Sequence, residues 1–211
     1  MAAAPPTCID VPSKAALRRR KVTDTARKLF VEQGFHATGM AQIAKESGIA
    51  VGQIYRDFSS KEDVVAALVE ADCNRLMMYE TLDAAIRADD AASARAWLHE
   101  FVEPSDQPDD ARLFAEILAE STRSTRIAAI FRSLQEELRR RILAALRLFA
   151  PAEAHAARRA MAAELIMTLS VGVFHQQLMR PDADLAGVVR GAQAVVDREL
   201  ATLRRDPEER A

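Results

Sequence analysis

Four consecutive basic residues, Arg18-Arg19-Arg20-Lys21, and a second basic pair, Arg27-Lys28, are the first residues whose types and spacing suggest chemistry. Guanidinium and ammonium groups clustered in this way suit a polyanion. The chain as a whole carries a net charge of −2 at pH 7, so the cluster stands out by its position. Residues 1–61 hold 10 Lys+Arg against 5 Asp+Glu, and residues 62–211 hold 19 against 26. A small basic part joined to a larger acidic one points to nucleic-acid contact at the first end only. On charge alone, chance clustering is the competing explanation.

Catalytic chemistry finds little support. The histidines, His36, His99, His155 and His175, are scattered and lack the spacing of a helical metal-ligand pair. His155, in an alanine-rich stretch, is expected at the surface. Cys8 and Cys73 are too few for a disulfide framework and have no metal-ligand spacing. Cys73 falls in a helical pattern and is expected to pack as a small hydrophobe. No Gly-x-Ser-x-Gly elbow and no Gly-rich phosphate loop is present. No enzyme, metal or cofactor is therefore expected. The chain starts Met-Ala-Ala-Ala-Pro-Pro, without the charged and apolar regions of a secretory signal. Its longest uncharged stretch, Leu165 to Met179, is too short to span a bilayer. A cytoplasmic protein with no membrane partner is expected.

The elements that must position these groups are helices. Hydrophobic residues make up 49% of the chain but aromatics only 5%, and 7 glycines and 8 prolines are too few for the turns of a sandwich or barrel. Alanine, leucine, arginine and glutamate favour helices, which makes an all-α fold the expectation. Residues 1–13 read as a disordered tail. Ser13 is a suitable N-cap for a helix carrying Leu17, Val22, Ala26, Leu29 and Phe30 at helical spacing. Gly34 ends it as a left-handed residue, with Phe35 packing back. Thr38 is expected to open a second helix that Gly48 stops, and a third runs from about Ala50 to Phe58. Ser60 and Asp63 then form the cap and acidic position of a capping box. Helices this short cannot stand alone and must share a miniature core. Its candidates are Val22, Ala26, Leu29, Phe30, Phe35, Met40, Ile43, Ala44, Ile49, Ile54 and Phe58. Two short helices joined by a Gly-containing turn, after a longer one, form a three-helix helix-turn-helix pattern. The third helix turns Ala50, Val51, Gln53 and Arg56 outward, with Tyr55 at the rim, and fits a major groove.

The series Leu29-Phe30-x-x-x-Gly34-Phe35-x-x-Thr38, Ile43-Ala44-x-x-x-Gly48-Ile49 and Gly52-x-Ile54-Tyr55-x-x-Phe58-x-x-Lys61-Glu62 resembles the DNA-binding domain of the TetR/AcrR family of bacterial regulators. The resemblance covers roughly residues 15–64. It implies a DNA-binding domain over residues 14–64, with its helix-turn-helix at about 39–58, and double-stranded DNA as a partner. By the same likeness Thr38, Gly39, Gln42, Ala50, Val51, Gln53, Tyr55, Arg56 and Lys61 line the DNA, with Tyr55 and Lys61 on phosphates. Gly39, Ala50 and Val51 depart from polar residues usual in the family. That leaves Gln53 for adenine and Arg56 for guanine as the polar readers of base edges. For Arg56 a plain phosphate contact is equally compatible.

Residues 65–205 read as helices throughout, followed by a short tail, 206–211. One helix is expected from Lys61 to about Arg87 with Val64, Leu68, Ala71 and Leu82 inward. Asp89-Asp90 opens a next one, and Asp109-Asp110 leads another with Leu113, Phe114, Ile117 and Leu118. Further helices run over Phe131–Phe149, Met161–Met179 and Leu185–Leu203. The last pair is unusually apolar, which suits either a buried core or a four-helix dimer interface. The resemblance favours a homodimer, with Leu165, Leu169, Val173, Leu185, Val188, Val189, Ala192 and Val196 at the interface. A two-fold dimer would also place two recognition helices about one DNA turn apart, on a palindromic operator. The resemblance further implies a ligand-binding and dimerisation domain that takes a small-molecule effector. Tyr79, Trp97, Phe101, Phe114, Phe131, Met167, Phe174 and His175 are the large or polarizable residues available for such a pocket, each also suited to plain core. The composite expectation is a repressor released from DNA by a hydrophobic effector. A ligand-independent regulator or activator, or a helical ligand-binding protein with no sequence-specific DNA role, stays open.

Overall fold

The computed structural model describes residues 13–76 and 79–204. The expected tails at residues 1–12 and 206–211, Cys8 and the Cys73 side chain lie outside the described residues. Every regular element among the described residues is a helix. The chain divides into two compact units, one ending at Leu68 and the other beginning at Val69.

The first unit comprises α1 (Lys14–Gln33), α2 (Met40–Ser47), α3 (Val51–Asp57) and the start of α4 (Lys61–Leu76). Ser13 caps α1 by accepting the Ala16 amide at 3.1 Å. Burial along α1 begins only at Val22, so Leu17, which opens the apolar series, stays exposed. Gly34 ends the helix with φ 84°, but its ψ of 160° is extended rather than left-handed helical. That conformation sends Phe35 back onto Phe30, with ring centroids 5.4 Å apart. Gly48, with φ 64° and ψ 20°, is a true left-handed stop for α2. Ser60 accepts the Asp63 amide as the capping box requires, and the Asp63 carboxylate accepts the amide of Ser59, at 2.9 Å. The three helices bury Val22, Ala26, Leu29, Phe30, Phe35, Ile43, Ala44, Ile54 and Phe58 together, with Val64, Val65 and Leu68 of α4 also buried. Met40 and Ile49, expected among them, are half-buried.

Thr38 corrects a local expectation. It does not open α2; Gly39 is the N-cap, without a side-chain bond. Thr38 is instead 0% exposed, and its hydroxyl donates to the carbonyls of Gly34 at 3.0 Å and Leu29 at 3.3 Å. The end of a helix leaves carbonyls without amide partners, and a nearby hydroxyl satisfies them.

The second unit holds α5 (Tyr79–Arg87), α6 (Ala91–Phe101), α7 (Pro108–Ser121), α8 (Thr125–Arg147), α9 (Ala156–Met179) and α10 (Ala186–Leu203). Within the span expected as one helix from Lys61 to Arg87, helix is described over Lys61–Leu76 and Tyr79–Arg87, and Ala71, placed inward by periodicity, is exposed. Asp89 takes φ 54° after α5, and Asp90 caps α6 by accepting the amides of Ala92 and Ser93. α8 begins six residues before Phe131, because Ser124 caps it through the Ile127 amide. α9 begins at Ala156 after a short 3-10 turn, Glu153–His155. This turn overturns the expected exposure of His155, which is buried. Arg159, itself buried, donates to the carbonyls of Ala150 at 2.6 Å and Ala152 at 2.7 Å and draws the segment onto the core. Met161, which opens the expected helix, is 75% exposed, and Leu118 on α7 is exposed too. α5 packs on α6, α7 and α9 on α8, and α10 on α9 and α6.

Candidate nucleic-acid interface

α3 is positioned by its own inward residues. Ile54 is fully buried and Phe58, the C-cap, nearly so, which fixes one side of the helix in the core. With 3.6 residues per turn, the opposite side must carry Gly52 and Arg56, four apart, flanked by Val51 and Tyr55 on one edge and Gln53 on the other. Exposure agrees: Val51 is 43% and Tyr55 51% exposed, Ala50, Gly52 and Arg56 are open to solvent, and Gln53 is half-buried. Neither Ala50 nor Gly39 offers a side-chain cap to its helix. A Cβ placed on Gly39 or Gly52 would meet nothing within 4 Å.

The far end of α3 is clasped to α1. Arg18 donates through Nε and Nη2 to the two carboxylate oxygens of Asp57, at 2.6 and 2.8 Å. Arg19 donates to the Asp57 carbonyl at 2.6 Å and lies 4.3 Å above the centre of the Phe58 ring. The Arg18 guanidinium, chiefly through its hydrogen bonds, holds the Asp57 carboxyl below the usual aspartate range, with Arg19 and Arg56 adding to the effect. Two of the four residues of the basic run, Arg18 and Arg19, therefore bond to the end of α3. The Arg18–Asp57 pair spans 39 residues of sequence, and no local spacing announces it. Elsewhere on α1, Arg20 and Lys28 sit 3.8 and 3.9 Å from Asp24 and Glu32 one turn on, in exposed pairs of the kind that contribute little.

Lys61 is also tied to the fold. Its ammonium donates to the carbonyls of Phe35 at 2.6 Å and Thr38 at 2.9 Å, and lies 3.9 Å from the centre of the Phe35 ring. It pins the α1–α2 turn. Gln42 donates to Gln33 of α1 at 2.8 Å. Of the nine residues assigned to DNA by sequence, Ala50, Val51, Gln53, Tyr55 and Arg56 thus share the α3 face and Gly39 lies open at the start of α2. Thr38, Gln42 and Lys61 are engaged within the protein.

The residues assigned to the second unit separate similarly. Val173, Ala192 and Val196 are buried within the chain, so they are core and not available to a partner. Leu165, Leu169, Leu185 and Val189 are half-buried, and Val188 is exposed. The apolar surface left open on α9 and α10 includes Met161, Val171, Leu178, Met179 and Val188, beside Gly187, Gly191 and Ala194 on α10. Among the pocket candidates, Phe114 of α7 lies 5.6 Å from Phe131 of α8 and 5.9 Å from Phe174 of α9, ring centre to ring centre. Trp97 and Phe101 stack on each other at 5.3 Å along α6. Tyr79 is buried under the Arg141 guanidinium, Met167 is half-buried, and His175 is exposed. An open groove of about 520 Å³ between α5 and α6 is lined by none of these candidates but by Glu80, Thr81, Ala84, Ala85, Ala88, Asp90 and Ser93. Among the described residues no helix is long and apolar enough to cross a membrane, and no group of His, Cys, Asp and Glu could hold a metal ion.

The helix-turn-helix geometry has clear relatives. Residues 22–68 match the model of the tetR family of bacterial regulatory proteins. The HTH-type transcriptional regulator UidR of Escherichia coli K12 is 34% identical over 65 residues, covering 31% of this chain and 33% of UidR. The chain spans about a third of the length of the curated relatives it matches. The solved structure of a putative transcriptional regulator from Pseudomonas aeruginosa PAO1 superposes with a TM-score of 0.72 at 17% identity, covering 94% of this chain and 95% of that one. A triclosan complex of SmeT does so with a TM-score of 0.67 at 22% identity, over 90% and 93%. At these identities the structural likeness concerns the fold, and it extends over both units.

Proposed function

We propose that the chain, whose residues 22–68 match the tetR family of bacterial regulatory proteins, is a dimeric transcriptional regulator, a repressor released from a palindromic operator by a small hydrophobic effector. The observation that carries the reading is the α3 face: Val51, Gly52, Tyr55 and Arg56 exposed, Ile54 and Phe58 buried behind them, and the helix end held by Arg18 and Arg19. A helix seated this firmly and open on one side fits the major groove. The basic charge of the first 61 residues supports the same partner.

A single such unit covers one half-site, so the reading requires a second copy. The open apolar and small residues of α9 and α10 support a two-fold pairing there, at Val171, Leu178, Met179, Val188, Gly187 and Gly191. A Cβ on Gly191 would meet nothing within 4 Å, so helices of two protomers can approach closely along that strip. The aromatic cluster Phe114, Phe131 and Phe174 supports an apolar effector site among α7, α8 and α9. That SmeT forms a triclosan complex favours an effector of hydrophobic character.

Selection of binding sequences from a random duplex pool tests the core of the reading. A palindrome with half-sites about one turn, roughly 34–36 Å, apart is expected. Sedimentation should give a dimer at micromolar concentration, and Gly191→Glu should yield a folded monomer with lost operator binding. Enrichment of no sequence, or full binding by a monomer, would refute it. Titration of apolar compounds into the operator complex then separates a released repressor from a ligand-independent regulator.

A further inference from the structure

Resting on the reading of α3 as the DNA-recognition helix, we propose that its outward first turn reads thymine by van der Waals contact: Val51 seats the 5-methyl group of a thymine, and Gly52 lets the helix backbone approach the groove floor closely enough for that contact. The chemistry follows from what the first turn lacks. Ala50, Val51 and Gly52 in succession present no hydrogen-bond donor or acceptor beyond the backbone. The base-edge feature of the major groove that an apolar side chain recognises is the thymine methyl.

Gly52 supplies an independent observation. Glycine is a poorer helix former than alanine, and in a helix of seven residues even its second position, Gly52, lowers the tendency to form the helix. The fold gives no reason for a glycine here. Gly52 is exposed, it lies within α3, its φ is not positive, and a Cβ on it would meet nothing within 4 Å. Gly48, by contrast, needs φ 64° to end α2. The space over Gly52 is thus open to a molecule outside the chain. Its place beside Val51, and one turn before Arg56, puts that space at the centre of the proposed DNA face. A missing Cβ there brings the helix axis nearer the bases, within reach of a side chain as short as valine.

The division of labour along α3 then becomes specific. The first turn selects T·A pairs through the methyl group, while Arg56 and Gln53, one turn on and at the other edge, remain for hydrogen-bonding contacts. The experiment uses the full chain and the operator obtained by selection. Each thymine of a half-site is replaced singly by deoxyuridine, which removes the methyl group and keeps every hydrogen-bonding group. One position per half-site is expected to lose at least fivefold in affinity for the unmodified protein. Val51→Ala should bind the thymine and uracil operators equally. Gly52→Ala should melt at the same or a higher temperature than the unmodified protein and yet lose at least tenfold in operator affinity. Deoxyuridine without effect at every position, or Gly52→Ala binding as tightly as the unmodified protein, would overturn the proposal. Failure of the selection itself to enrich any sequence would instead sink the recognition-helix reading on which it rests.

Discussion

Arg18→Ala separates two jobs that a basic residue in this position can have. In the run Arg18–Lys21 it has the look of a phosphate ligand, but its guanidinium forks onto Asp57 at 2.6 and 2.8 Å. Each phosphate neutralised by a protein cation contributes about 0.9 to the slope of log affinity against log salt concentration. If Arg18 held a phosphate in each half of a two-fold complex, its removal would flatten that slope by about 1.8. A guanidinium spent on Asp57 predicts otherwise. The slope should stay within about 0.5 of its original value, and affinity should fall by a similar factor at every salt concentration, because α3 has lost its anchor at the C-terminal end. Asp57→Asn reports on the same clasp from the other side. It weakens the hold on α3 and relieves Arg18 of its carboxylate, so specific affinity should fall while the slope stays as steep or steepens. The assay is fluorescence anisotropy of a labelled operator, titrated between about 50 and 200 mM salt, the range over which phosphate contacts dominate. A slope flattened by nearly two in Arg18→Ala would refute the assignment and return Arg18 to the DNA backbone.

Two further outcomes follow from groups held inside the units. Thr38→Val keeps the shape of a fully buried side chain and removes its donation to Gly34 and Leu29, which should cost about 1–2 kcal/mol in denaturant unfolding with no change in salt slope; unchanged stability would contradict the bonding described. In the second unit, Arg95 above all, with His99 assisting, holds the Asp197 carboxyl below the usual aspartate range. A depressed carboxyl stabilises the fold above the ordinary aspartate value, near 4, and loses that contribution as pH falls through its own lower value. The stability gap between the unmodified protein and Asp197→Asn should therefore be full at pH 7 and close in strong acid; a gap independent of pH would show that the α6–α10 clasp carries no titrating contribution.

The fold was legible where a residue acts on its own neighbours. Ser13, Gly48, Asp90 and the apolar series of α1, α2 and α3 announce caps, stops and buried faces through local spacing, and the structure places them accordingly. The exposed edge of α3 could be read the same way, because one buried residue, Ile54, fixes the orientation of a helix. What sequence could not disclose were partners brought together by packing. Arg18 with Asp57, Lys61 with the Phe35 and Thr38 carbonyls, and Arg95 with Asp197 join residues between 23 and 102 positions apart. Charge suggests a polyanion for the whole run at Arg18–Lys21 and the resemblance a phosphate for Lys61, whereas Arg18, Arg19 and Lys61 bond to groups of the protein itself. The apolar face of α10 shows the complementary ambiguity: Ala192 and Val196 are core while Val188 is exposed, and periodicity treats all three alike. His155 was misplaced because the turn before α9 has no period to read, and only Arg159 reveals why it folds in.

The helix proposed to read DNA, α3, is seven residues long, fewer than two turns. A segment of that length has no helical stability in isolation, since nucleation alone outweighs its few internal bonds. Its shape is on loan from Phe30, Ile43 and the other buried residues of the first unit, none of which can touch a base. Melting of this small core and loss of the reading surface are consequently one event, and an operator at a hundred times its dissociation constant would oppose that event by about 2.7 kcal/mol. In the proposed arrangement DNA would act as a folding ligand: heat that loosens the unit would compete with the operator for the same helix, and the temperature at which the chain let go of DNA would depend on how much operator surrounded it.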